Sequence, residues 1–168
     1  MPTLDLIFVT TGRHHVTEKL IQVATHSVYS HAATRFEIEG RQIIVEAVRP
    51  AVRIVEGNVF DDCLQLAVVS IPITEQQRQA IVARAFQLVG KTYGIDDCLI
   101  GGVNDLIGAS AAQEINNFID NSDTYNCSSA QTELVRAAFP WYADGIDASR
   151  ITPEQARLLA ESLRNTLG

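Results

Sequence analysis

Apolar positions follow two rhythms along this chain. The first part carries short blocks rich in large and β-branched side chains: residues 4–10, 31–38, 42–48, 52–55 and 64–71. Blocks of about four to eight such residues, closed by glycine, proline or polar breaks, predict strands. The breaks here are Thr11-Gly12-Arg13, the polar run 27–30, Glu39-Gly40, Pro50 and Pro72. Residues 52–55 read as a short edge strand and 64–71 as a buried one. Helical spacing takes over elsewhere. Val16, Leu20, Ile21, Val23 and Ala24 predict a helix over 16–25. Thr74 caps a clear helix whose first turn is Glu75-Gln76-Gln77, whose apolar stripe is Ile81, Val82, Ala85, Phe86 and Val89, and which Gly90 stops. A glycine-containing segment over 97–107 and a short stretch over 111–119 read as further helices. Thr152-Pro153-Glu154 opens a last helix to about Leu163, in the cap-then-proline order of a helix start. Glu39-Gly40 joins two strand blocks as a hairpin, so the sheet is expected to be antiparallel and the class α+β, one domain over residues 1–168.

One more helix carries candidate chemistry. In Thr124-Tyr125-Asn126-Cys127-Ser128-Ser129, a polar loop runs into a helix whose apolar or small face is Cys127, Ala130, Leu134, Val135 and Ala138, ending at Phe139-Pro140-Trp141. Asp123, Thr124 and Asn126 are all possible caps. Cys127 then falls in the first turn, where unpaired N–H groups and the positive dipole end favour an anion such as a thiolate. A small buried hydrophobe is the plainer fate of such a cysteine.

A thiol nucleophile needs a base and a group to orient that base. The hairpin supplies both if Glu39-Gly40 is a two-residue turn. Ile38 then faces Arg41, Ala33 faces Glu46 and His31 faces Val48. His31 and Glu46 become diagonal neighbours on one side, while Ala32, Phe36, Ile43, Val45 and Ala47 form a core face on the other. A one-residue slip would send Glu46 to the wrong face. Glu46 also lies inside the apolar run Ile43-Ile44-Val45-Glu46-Ala47-Val48, where an unpaired carboxylate is costly. His14 and His15 follow a turn, and His26 sits at a helix end; neither position suggests a role.

Composition narrows the classes. The 168 residues, 46% of them apolar, suffice for a core. A net charge of −7 without any basic run argues against nucleic acid and anionic membranes as partners. No apolar run approaches the roughly 18 residues of a membrane span. Met1-Pro2-Thr3-Leu4-Asp5 lacks the basic start of a secretory signal, so a cytoplasmic protein is expected. Cys63, Cys98 and Cys127 are odd in number and lack metal-type spacing; neither disulfides, a metal site nor any other cofactor is expected.

The ordered set Asp5-Leu6-Ile7-Phe8, Ser30-His31, Val45-Glu46-Ala47, Gly90-Lys91-Thr92-Tyr93-Gly94 and Tyr125-Asn126-Cys127-Ser128 resembles the circularly permuted branch of the NlpC-type papain-like cysteine hydrolases, the YiiX/YaeF-like amidases. The resemblance spans residues 4–138 and leaves the last helix outside. It implies a papain-like domain in which the histidine and its acidic partner precede the cysteine. Cys127 would be the nucleophile, His31 the base and Glu46 the residue that orients it. Tyr93 would stand near the substrate cleft, with Ser30 and Tyr125 as further substrate-binding candidates. The implied activity is hydrolysis of an amide in cell-wall-type peptides or a related small acyl substrate. The same permuted arrangement resembles the lecithin:retinol acyltransferase group, which would imply lipid acyl transfer or thioester hydrolysis. The sequence departs from the pattern at Ser129, where glutamate often follows Cys-Ser, and at Ala32, where valine is frequent after Ser-His. A binding domain without activity is the alternative those departures leave open.

Overall fold

The computed structural model describes residues 1–11, 28–61, 63–94 and 124–168. The helices expected over 16–25, 97–107 and 111–119, and with them His14, His15, His26 and Cys98, lie outside the described residues.

Among the described residues, five strands form one sheet: β1 (Thr3–Thr11), β2 (His31–Ile38), β3 (Arg41–Val48), β4 (Ala51–Glu56) and β5 (Cys63–Pro72). Their order is β4-β3-β2-β1-β5, and every neighbouring pair is antiparallel. The β2–β3 turn has two residues, Glu39 at φ 49° and Gly40 at φ 77°. Two successive left-handed residues match the right-handed twist of a hairpin, and glycine takes the second at no steric cost. Ile38 therefore pairs with Arg41 and Ala33 with Glu46, the register read from the sequence. A second two-residue turn, Arg49-Pro50, pairs Val48 with Ala51 and so sets Arg53 opposite Glu46.

One face of the sheet carries Leu4, Leu6, Phe8, Ala32, Phe36 and Val45 into the main core. Against it lie α1 (Glu75–Leu88), α2 (Cys127–Ala138) and α3 (Pro153–Leu167), with a short 3₁₀ turn at Ala148–Arg150 before α3. Helix α2 is the central one, with nine of its twelve residues buried. The opposite face carries a smaller cluster of Ile7, Val9, Ala33, Ile44 and Phe60.

Three details differ from the sequence reading. Helix α1 buries Ile81, Ala85 and Leu88, whereas Phe86 and Val89 point to solvent. Among the described residues β5 is an edge strand, with Leu66 and Val68 exposed and Val69 and Ile71 buried, so it alternates despite its apolar run. Helix α3 continues to Leu167, past Leu163.

Candidate active site

The two turns place His31, Glu46 and Arg53 on three successive strands, on the same face and near the same end of the sheet. Glu46 is buried to 3% exposure in the middle of β3. Its carboxylate is fully engaged. Oε2 takes a hydrogen bond of 2.8 Å from His31 Nε2, and Oε1 takes two from Arg53, 2.9 Å from Nε and 2.6 Å from Nη2. Because both guanidinium donors converge on Oε1, Oε2 is left to the imidazole. The costly buried carboxylate foreseen in the sequence thus has two cationic partners where one was expected.

Cys127 is the first residue of α2 and stands close enough to His31 to raise the pKa of its ring, while its Sγ meets Ser128 Oγ at 4.0 Å. Glu46 occupies Nε2, so Nδ1 is the ring nitrogen available to the sulfur. Cys127 belongs to the main core and His31 to the opposite face, and they meet because each opens its element at the same end of the fold. Burial alone would lower the His31 pKa. Hydrogen bonding of the ring to Cys127 and Glu46, and the negative charge on each, outweigh it and raise the pKa to about 10. Glu46 experiences the mirror image. Burial opposes its ionisation, but the bond and charge of His31, then those of Arg53, hold it below the usual carboxylate range.

The start of α2 is fixed by a reciprocal cap. Asn126 Oδ1 accepts from the Ser129 amide at 2.8 Å, and the Asn126 amide donates to Ser129 Oγ at 2.9 Å. Asn126 Nδ2 also donates to the Ser149 carbonyl at 2.8 Å, tying the cap to the 3₁₀ turn. Of the three possible caps, Asn126 is the one used. Ser129 stands at the third helical position, where a glutamate would close the same kind of box. The departure at Ser129 is therefore met by a residue that still caps the helix.

Ser30 precedes His31 in the chain, and Tyr125 lies two residues before Cys127. Tyr93 and Tyr125 form an isolated parallel bridge. The Tyr125 amide donates to Thr92 O at 2.9 Å, the Gly94 amide to Tyr125 O at 3.2 Å and the Tyr93 amide to Pro50 O at 2.9 Å. The 91–94 loop thus straps the approach to Cys127 onto the β3–β4 turn, and both tyrosine rings pack on the main core. The Ser30 amide bonds Val9 O at 3.0 Å, and its buried hydroxyl has no partner among the described residues. The sequence reading missed Arg53. Counting back from a two-residue turn at Arg49-Pro50 would have set it opposite Glu46, as the same count across Glu39-Gly40 set Glu46 opposite Ala33.

No protein-family model matches the sequence, and no curated protein matches it. Among solved structures, the chain is similar to the crystal structure of metalloprotein YiiX from Escherichia coli O157:H7, with a TM-score of 0.56 and 21% identity over 82% of this chain and 66% of that one. The chain has a YiiX-like fold, and it spans about two thirds of that protein's length. The word metalloprotein belongs to that structure. Among the described residues of this chain, no group of three or more His, Cys, Asp or Glu side chains is arranged to hold a metal ion. Glu46, the buried carboxylate at the site, has both oxygens committed to His31 and Arg53.

Proposed function

We propose that this chain is a permuted papain-like thiol hydrolase, folded as one unit, that cleaves an amide in a cell-wall-type peptide or a related small acyl substrate. The observation that carries this reading is the imidazole of His31, hydrogen-bonded to the buried Glu46 on one side, with Cys127 at a helix start close enough to shift its pKa. A protonated His31 and an anionic Cys127 form the resting ion pair, and Glu46 holds the ring in line. The thiolate attacks the substrate carbonyl, and negative charge gathers on its oxygen beside the first turn of α2. There the Cys127 backbone N–H and the positive end of the helix favour it. Collapse of the tetrahedral species breaks the C–N bond as His31 gives its proton to the leaving amine, leaving an acyl group on sulfur. Neutral His31 then takes a proton from water, whose oxygen attacks the thioester. The carboxylic acid leaves and the ion pair returns. Tyr125, two residues before the nucleophile, and Tyr93, bridged to it, are the residues assigned to hold substrate.

Brief iodoacetamide treatment near neutral pH, followed by peptide mapping, tests the reading. Cys127 should be modified faster than Cys63 or Cys98, because the thiolate is the reactive form. Preferential labelling of Cys63 or Cys98 would refute the ion pair.

A further inference from the structure

We propose that Arg53 is a positioning residue of the site: it clamps one oxygen of Glu46 so that the other stays aimed at His31. The role rests, for its catalytic consequence, on the thiol-hydrolase reading above. The geometry behind it is specific. A carboxylate with one partner can rotate about its terminal bond and exchange its oxygens. Here Nε and Nη2 of Arg53 close on Oε1 from a rigid planar fork, at 2.9 and 2.6 Å, and fix the plane of the group. Arg53 stands directly across the β3–β4 ladder from Glu46, so backbone pairing sets the approach. Its side chain is 55% exposed while that of Glu46 is 3% exposed. A half-exposed arginine thus reaches in to a buried carboxylate that His31 also holds. With Cys127 as a thiolate, His31 and Arg53 together balance the two anions, and the two-pronged grip of Arg53 on one oxygen also supplies direction.

A merely structural ion pair and a clamp predict opposite signs for one observable. Among the described residues, the charged or titratable groups facing His31 are Glu46 from β3, with Arg53 behind it on β4, and Cys127 from α2. Removing a nearby positive charge, with all else fixed, makes imidazolium easier to form and raises the His31 pKa. Losing the aim of Glu46 removes a hydrogen bond to imidazolium and lowers it. The clamp therefore predicts that Arg53→Gln lowers the His31 pKa, although a cation has been taken away.

The experiment is an NMR titration of the His31 ring, with iodoacetamide rates at Cys127 over the same pH range, in wild type, Arg53→Gln, Arg53→Lys, Glu46→Gln and the Arg53→Gln/Glu46→Gln double variant. Arg53→Gln should lower the His31 pKa by at least about one unit and slow alkylation about tenfold, within the range that misplacement of a reacting group produces. The double variant should match Glu46→Gln alone, since a clamp without its carboxylate does nothing. Arg53→Lys keeps the charge and the aliphatic stem but cannot bring two fixed donors to one oxygen, so it should fall between wild type and Arg53→Gln. It also decides the matter if Arg53→Gln does not fold, because an unchanged His31 pKa in Arg53→Lys would mean charge alone suffices. A raised or unchanged pKa in Arg53→Gln overturns the clamp. An unreactive Cys127 in wild type overturns the hydrolase reading instead, and leaves the His31 titration to judge Arg53.

Discussion

The side chains at the centre of this site form a chain of charge: Arg53, Glu46, His31 and Cys127. Such units are strongly non-additive. His31→Ala removes the proposed base and should abolish turnover of an acyl substrate. Glu46→Gln keeps an acceptor but loses the anion, so it should lower turnover and the His31 pKa while leaving some activity. Glu46→Ala should be worse, and adding it to His31→Ala should cost little more. Turnover of the single and double variants, with melts to confirm folding, checks the series; wild-type turnover in Glu46→Ala would remove Glu46 from the unit. The same charges link stability to pH. The folded His31 pKa is raised from 6.5 to about 10, so its contribution is complete below pH 6.5 and is lost as pH climbs through about 10. The folded Glu46 pKa is depressed, so its contribution is present above about 4.5 and is lost as pH falls through the folded value. The stability gap between wild type and His31→Gln should therefore be full near pH 6 and shrink steadily toward pH 10. Denaturant melts across that range measure it; a gap that grows with pH would contradict the assigned charge on His31. At this scale the sequence was legible where a turn count could be made. His31 and Glu46 followed from Glu39-Gly40, while Arg53 needed the same count across Arg49-Pro50, where proline reads first as a strand's end.

Among the elements, α2 does most to build the site, and its first turn is where sequence and structure agree in greatest detail. Asn126 is wholly buried and spends its side chain on both Ser129 N and Ser149 O. Asn126→Ala should destabilise the fold by about 1 to 3 kcal/mol, the sum of a lost cap and a stranded buried carbonyl. Asn126→Asp should recover the cap but not the bond to Ser149 O, and so fall between. Thermal or urea melts of the three proteins test the order; equal stability of Asn126→Ala and wild type would deny the cap its role. Helix α2 is further held by Arg84 of α1, whose Nη2 meets Glu133 at 2.6 Å, and by Gln77 Nε2, which bonds Ala138 O at 3.1 Å. These cross-helix contacts were not readable in the sequence, because periodicity assigns a face and not a partner. The same limit explains α1: Phe86 fits the apolar rhythm as well as Leu88 does, and only packing against the sheet and α2 decides which is buried. The apolar run of β5 misled for a related reason. A run buried on both faces and an edge strand with one bare face look alike until the strand order is known.

At the scale of the molecule, the antiparallel sheet explains why residues far apart in the chain converge. Consecutive hairpins put β2, β3 and β4 side by side, so His31, Glu46 and Arg53 become neighbours with no long connection between them. Cys127 arrives last in the chain and from the other face, which gives the order histidine, acid, cysteine. The α+β class and the β2–β3 pairing were legible because the Glu39-Gly40 turn left a local mark, whereas the other strand pairings were not. How the helices cover the sheet was not, since that depends on volumes summed over distant segments. No helix among the described residues is long and apolar enough to cross a membrane. The central claim is that Cys127 takes up the acyl group of a substrate with His31 as its proton partner. Its most direct test is to incubate the protein with 4-nitrophenyl acetate, quench in acid and locate the acetyl group by peptide mass spectrometry in wild type, Cys127→Ala and His31→Ala. The account predicts an acetyl group on Cys127 in wild type, none at any cysteine in Cys127→Ala, and at most a trace on Cys127 in His31→Ala. Acetyl on Cys63 or Cys98 instead, or undiminished nitrophenol release from Cys127→Ala, would contradict it.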